Sequence, residues 1–306
     1  MEIAINKLKF CFILGIDRRS GTNYLFRLIR KHPQCVGPGP IWEDFFIHNS
    51  EILRKYVENV YKSWKPSWEI DKILGPEPVM LKYIGDGLKR FLSLQLEIWD
   101  QSPEYENLIL LSKTPSVRGL DNFFDIFPNA YLLILVRDGR AVVESGVRSF
   151  AWDYEEAMHR WAENAKIILN FKEKYKDKKE RFLIVRYEDV VKNTKEELRK
   201  IFNLLKIDSS LYNFDKAENL AVTGSSELKE KEGRLHWKPV PKTKEFNPLA
   251  RFKDWDDKKH ERFNWIGGKY LEEFGYKMKP SRSTFCLLRN LILDLVFKIK
   301  CIKNKG

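Results

Sequence analysis

Residues 10–16 form an apolar run that is followed by Asp17-Arg-Arg-Ser-Gly-Thr-Asn23 and then by a helical pattern. A strand-loop-helix turn of this kind presents free backbone N–H groups at a helix N-terminus. Gly21 lets the backbone approach closely, and Arg19, Ser20 and Thr22 add side-chain donors, which together suit a phosphate or a similar oxyanion. The order Arg-Ser-Gly-Thr is not the usual ATP loop, in which a Lys precedes Ser or Thr after a second glycine. The plain alternative is an ordinary turn before a well-capped helix.

A second cluster stands in residues 130–145. Arg137 closes an apolar run and Ser145 lies eight residues on, about two turns into the next helical pattern. A guanidinium and a hydroxyl so spaced can grip one phosphate from two sides. Lys113, in Ser112-Lys-Thr-Pro115, stands at the carboxyl end of another predicted strand, where ligands of α/β sheets collect.

Positioning these groups requires a sheet. Short apolar runs alternate with longer helical patterns: 10–16 then 21–31, 108–111 then 117–127, and 131–136 then 139–149. Each run is too short for a helix and is followed by one, as in βα units of a parallel sheet buried on both faces. Residues 181–187 read as a fourth strand. Blocks at about 44–64 and 153–178 carry Trp, Tyr and Leu at three- and four-residue spacings and are expected to cover the sheet. From 211 to 255 the pattern breaks down around Gly224, Gly233, Pro239, Pro241 and Pro248, and irregular segments this long are often functional. A helix over about 258–274 follows.

With 306 residues, 43% hydrophobic and 13% aromatic, the chain can bury a sizeable core. That excludes wholesale disorder and a disulfide-stapled miniprotein. Its 55 basic and 43 acidic residues leave +12, which favours anionic partners: a nucleotide, a phosphorylated metabolite, an acidic glycan, nucleic acid or a membrane surface. Cys11, Cys35, Cys286 and Cys301 show neither paired spacing nor a zinc pattern with histidines, so a reducing compartment is the simpler reading. The run at 10–16 stops at Asp17-Arg-Arg19 without a cleavage site, no export signal is read there, and a cytoplasmic location is expected. In the mostly apolar 285–302, Arg289, Asp294, Lys298 and Lys300 intervene before roughly 18 clean residues accumulate, which argues against a spanning helix.

Taken together, the loops at 19–22 and 137–145 resemble those of the sulfotransferases that use 3′-phosphoadenosine 5′-phosphosulfate. Each motif alone is weak; their order and separation make the resemblance specific. It covers about residues 10–276. Ser112-Lys-Thr-Pro115 is similar to the family's Lys-Thr-Pro segment, and Arg186-Tyr-Glu-Asp189 to its Tyr-Glu-Asp. Gly224-Ser-Ser226, followed by Gly233-Arg-Leu-His-Trp237, resembles the late loop that closes over the donor in bacterial and protein-tyrosine sulfotransferase relatives. The arginine at 19 leans the same way, because the cytosolic small-molecule enzymes usually have Lys there.

The resemblance implies a P-loop-like three-layer α/β/α fold with a central parallel sheet, a domain expected over residues 1–280; the residues that follow read by themselves as a basic, apolar C-terminal helix or tail over 281–306. It implies sulfuryl transfer to a hydroxyl acceptor (carbohydrate, lipid, tyrosine or secondary metabolite) by in-line displacement with a carboxylate base and no metal. Arg18, Arg19, Ser20, Gly21, Thr22 and Asn23 would hold the 5′-phosphosulfate. Arg137 and Ser145 would hold the 3′-phosphate, Tyr187 would lie near the adenine, and Ser225 and Ser226 would close over the donor. Arg19 would stabilise the departing bridging oxygen and Lys113 the sulfuryl oxygens; each has a plain reading as a surface or strand-capping cation. Relatives place the base soon after the first helix or as a histidine in the Lys-Thr-Pro segment, which here lacks one. Glu43 is therefore the first candidate, Asp44 and His48 are next, and helix capping is the plain role of Glu43. Arg140 and Arg148 flank the 3′-phosphate grip, and Trp237 is a stacking candidate whose plainer role is packing.

Two rivals stand beside this reading. A P-loop-type nucleotide kinase is disfavoured by the missing Gly-Lys-Ser/Thr and by the lack of a carboxylate-ended strand for magnesium. A non-catalytic binder of nucleic acid or membrane would use the +12 surplus, although no nucleic-acid partner is expected. In the tail, Asn290, Asp294 and Lys298 recur four apart within an apolar helix, ahead of Lys300, Lys303 and Lys305. Such a helix docks on its own chain in one reading and makes a peripheral membrane contact in the other.

Overall fold

The computed structural model describes residues 8–37, 39, 41–98, 107–218, 220–223, 225, 240–241, 247–249, 251–280 and 286–303. They fall into two compact units, one within Met1–Val136, Ile167–Thr223 and Pro239–Lys242, the other within Arg137–Lys166, Gly224–Lys238 and Thr243–Gly306. In chain order the first unit begins with β1 (Lys9–Gly15), α1 (Thr22–Arg30), β2 (Cys35–Val36), α2 (Ser50–Ser63), α3 (Ile70–Ile73), α4 (Glu77–Ile98), β3 (Ile109–Thr114), α5 (Phe123–Ile126) and β4 (Tyr131–Val136). Helix α6 (Gly139–Phe150) and the first part of α7 (Tyr154–Lys174) belong to the second unit. The chain then returns to the first unit with β5 (Phe182–Arg186), α8 (Tyr187–Lys192), α9 (Thr194–Leu205) and α10 (Phe214–Glu218). The second unit closes with α11 (Asp257–Glu273) and α12 (Cys286–Lys303), the helix lying within the 281–306 segment.

In the first unit the strands form one parallel sheet in the order β2-β3-β1-β4-β5, flanked by helices. Every residue of β3 and β4 is buried, so both faces of those strands are covered; β4 and the first half of β3 are apolar, while Ser112, Lys113 and Thr114 at the end of β3 are polar. Leu14 pairs with Thr114, Gly15 with Leu135 and Val136 with Arg186. The carboxyl ends of four strands therefore share one edge, the edge at which the predicted chemistry emerges. Beneath it, Phe12 stacks on Phe127 at 4.5 Å and meets Phe123 edge-on at 5.7 Å; fully burying such a side chain is worth about 1.5–3 kcal/mol.

Three elements differ from the sequence pattern. The helix expected from about 44 begins at Ser50, because the preceding residues are bonded to the end of β3. Residues 117–127 form a short 3-10 turn (Leu120–Asn122) and the single-turn α5 rather than one helix. The two-residue β2 is too short to carry a period.

The second unit is helical and centred on Trp161, which is fully buried with its ring 5.3 Å from Phe263. A Cβ at Gly139 would stand 2.3 Å from the Phe263 ring and 2.5 Å from Trp161, so only glycine lets α6 begin against this core.

Candidate functional site

The loop after β1 gets its shape from the backbone. Ile16 N–H continues the ladder to Leu135 O at 2.9 Å, and Asp17 turns the chain by accepting from Arg18 N–H (2.7 Å) and Ser20 N–H (3.3 Å, through its carbonyl). Arg19 lies in the left-handed region (φ 71°), as does Gly21 (φ 99°), and a non-glycine residue held there stores strain that the surroundings must overcome. A Cβ at Gly21 would come within 2.5 Å of the Tyr187 ring. Tyr187 is itself buried and meets Tyr24 edge-on at 5.9 Å, so the ring predicted to lie near an adenine packs under the loop. Helix α1 opens without a side-chain cap, which leaves its N-terminal N–H groups directed at the loop. Ser20 Oγ is buried and has no hydrogen-bond partner among the described residues. Thr22 is buried, Arg19 and Asn23 are half-buried, and Arg18 is exposed.

The three candidate bases are each fastened to the carboxyl end of β3. Lys113, buried, donates to Glu43 Oε1 at 2.9 Å. Ser112 Oγ donates to Asp44 Oδ2 at 2.5 Å, while Asp44 Oδ1 accepts from Phe46 N–H at 2.9 Å. Phe45, left-handed at φ 53°, donates its N–H to Thr114 Oγ1 at 3.0 Å. His48 Nδ1 and Ser116 Oγ are 2.8 Å apart. These fastenings separate the candidates. Asp44 is buried, and burial pushes its carboxyl above the usual range despite the bonds from Ser112, Phe46 and Thr114. Burial pulls His48 down, with the Arg118 and Arg18 charges adding to it. Glu43 keeps 32% side-chain exposure beside Lys113 and caps no helix, since α2 starts seven residues later.

Arg137 follows directly on β4 and is buried. Its Nη2 donates to Pro248 O at 2.5 Å, and its carbonyl accepts from Trp161 Nε1 at 3.2 Å. Ser145 is buried on α6. The flanking arginines are committed elsewhere. Arg140 makes two bonds to the Asp138 carboxylate, reaches Lys277 O at 3.0 Å and lies over the Phe252 ring. Arg148 pairs with Glu144 at 2.5 Å. Glu144 also accepts from Tyr154 OH and Trp255 Nε1, each at 2.7 Å. Ser225 is buried and accepts from Arg251 Nη2 at 3.0 Å; Ser226 and Trp237 lie outside the described residues.

Sequence reasoning missed Ser112 and Ser116 as anchors of Asp44 and His48, and Asp17 as the residue that turns the loop. Their polar types at a strand end were the available signal. A parallel sheet with an uncapped, glycine-bent turn after β1 and a lysine-carboxylate pair at the carboxyl end of β3 marks an α/β protein of P-loop-like architecture. The model of the sulfotransferase family matches residues 11–210, about two-thirds of the chain. The chain belongs to the sulfotransferase family.

A Caenorhabditis elegans protein, protein-tyrosine sulfotransferase A, is 25% identical over 207 residues, 65% of this chain and 50% of that protein. The chain thus spans about half the length of that curated relative. Among solved structures, the sulfotransferase domain of the Synechococcus PCC 7002 olefin synthase is 19% identical with a TM-score of 0.49, covering 89% of this chain and 96% of that one. The sulfotransferase domain from the curacin biosynthetic pathway is 18% identical with the same TM-score, covering 89% and 99%.

Proposed function

We propose that this enzyme moves a sulfuryl group from 3′-phosphoadenosine 5′-phosphosulfate to the hydroxyl of an acceptor. The observation that carries the reading is the Lys113–Glu43 pair, 2.9 Å apart at the carboxyl end of β3, in the same unit as a loop whose buried Ser20 hydroxyl has no partner among the described residues. The acceptor oxygen attacks sulfur as the bond from sulfur to the bridging oxygen breaks, and that electron pair leaves on 3′-phosphoadenosine 5′-phosphate. The acceptor proton passes to Glu43. Charge grows on the bridging oxygen, so a fixed donor aimed there lowers the barrier most; Arg19 takes that role. Lys113 turns from Glu43 to the sulfuryl oxygens, which frees the carboxylate for the proton.

In this reading the N–H groups of residues 18–23, with Ser20 and Thr22, hold the 5′-phosphosulfate. Arg137 and Ser145 hold the 3′-phosphate, Tyr187 supports the loop beside the nucleoside, and Ser225 and Ser226 close over the donor. No metal takes part, and the setting is cytoplasmic. The acceptor is a hydroxyl compound of the carbohydrate, lipid, tyrosine or secondary-metabolite classes.

Calorimetry of 3′-phosphoadenosine 5′-phosphate against 5′-AMP and ATP, with and without Arg137→Ala, tests the donor. Tight binding that needs both the 3′-phosphate and Arg137 supports it; equal or tighter binding of ATP overturns it in favour of phosphoryl transfer. A pH profile of transfer by Glu43→Gln tests the base, and a near-normal rate would move that role to Asp44 or His48.

A further inference from the structure

Helix α12 has its polar side inward. Arg262 of α11 donates to Asn290 O (3.2 Å), to Asn290 Oδ1 (3.3 Å) and to Asp294 Oδ1 (2.7 Å). Trp265 Nε1 donates to Asp294 Oδ2 at 2.9 Å, and Arg289 pairs with Glu261 at 2.7 Å. Phe297 stacks on His159 with centroids 4.1 Å apart, and Asn290 is fully buried. Residues 290, 294 and 297 fall on one arc of a helix turning 3.6 residues at a time.

The opposite arc carries Leu288, Leu291, Ile292, Leu295, Val296 and Ile299, each between 46% and 61% exposed. Exposed Lys298 borders it on one side, and exposed Lys303 stands on the same arc one turn beyond Ile299. A surface helix ordinarily turns its apolar stripe to the core. Here ion pairs and a buried amide hold the reverse orientation, so the stripe is presented to the outside rather than left over from loose docking. Contiguous exposed apolar bands of this kind mark interaction sites.

Charge chooses the occupant. A second copy packed in parallel would bring the like-charged Lys298 and Lys303 together, whereas anionic headgroups complement them and the chain's +12. The helix has 18 residues, about 27 Å, and no helix among the described residues is long and apolar enough to cross a membrane. We infer that the outer face of α12 docks on an anionic bilayer and lies in its interface, parallel to the surface.

Flotation of the full chain with phosphatidylcholine vesicles, with and without roughly one-third phosphatidylserine, tests this. The wild type partitions onto the anionic vesicles and is released by added salt. Leu291→Gln/Leu295→Gln lowers the partition coefficient at least about tenfold, and Lys298→Glu/Lys303→Glu at least about fivefold. All four side chains point to water, so both variants keep the wild-type melting temperature. Failure to float, equal partition onto neutral vesicles, or unchanged partition of the leucine variant overturns the inference. So does a dimer in sedimentation velocity that the leucine pair abolishes, which would assign the face to a second copy.

Discussion

Two loops leave neighbouring strands of one sheet and each opens a helix, yet they are held in different ways. After β1 the bend is made by backbone: left-handed Arg19 and Gly21, an uncapped helix, and a buried Ser20 hydroxyl with no partner among the described residues. After β4 the helix rests on side chains. Asp138 caps α6 at Arg140 N–H and holds the Arg140 guanidinium, and Glu144 gathers Arg148, Tyr154 and Trp255. The first construction leaves the start of α1 without a side-chain cap, with its first N–H groups directed at the loop. The second binds its charges to one another and so fixes the helix that carries Ser145. Preorganisation thus comes from strain and small residues in one loop and from an ion-pair scaffold in the other.

The largest expected effect separates chemistry from scaffold. Arg19→Ala should lower kcat about 10²–10³-fold with an unchanged thermal melt, as initial-rate and calorimetric scans would show. A parallel drop in melting temperature would mean that Arg19 belongs to the scaffold instead.

Glu144→Gln breaks the second construction, at a cost of about 2–3 kcal/mol at neutral pH in urea titrations. Burial alone would raise the Glu144 carboxyl, but the bonds from Trp255, Tyr154 and Arg148 bring it below its ordinary 4.5. A depressed acid stabilises the fold above its unfolded value and loses that contribution as pH falls through its folded value. The gap between wild type and variant should therefore be full at pH 7 and close on acidification below 4.5. Glu155 follows the same rule: burial raises it, yet His159 and Arg262 bring it to about 2. Its contribution to stability should fall as pH drops from 4.5 to about 2, where the carboxylate bonded to Arg262 takes up its proton.

Gly21→Ala tests the backbone construction. A methyl at φ 99° and 2.5 Å from Tyr187 should destabilise the protein by about 1–2 kcal/mol. Tyr187→Ala in the same chain should recover the steric part and leave the backbone part, a coupling that a double-mutant cycle measures. Smallest of all, Arg148→Ala should cost less than about 1 kcal/mol, because that side chain is 38% exposed.

Much of this was legible because it is local. Apolar runs located β1, β3, β4 and β5, and the Arg-Ser-Gly-Thr order marked a strand-to-helix turn, since strand period and turn chemistry are written in adjacent residues. The helix expected from about 44 failed for a nonlocal reason: Asp44 and Phe45 bond to Ser112 and Thr114, nearly seventy positions away. The fates of Arg140 and Arg148 were equally hidden, because capping, salt bridging and ligand binding all use the same residue type.

Composition and order were enough for the parallel sheet, the family resemblance and a basic, apolar last helix. Which carboxylate stands beside Lys113, that the buried Ser20 hydroxyl has no partner among the described residues, and which side of α12 faces out were settled by packing. A short period records which way a side chain points within its own element. It holds no information about the distant partner that sheet register and helix docking bring within about 3 Å, and that partner decides whether a charge is buried, paired or offered to a ligand.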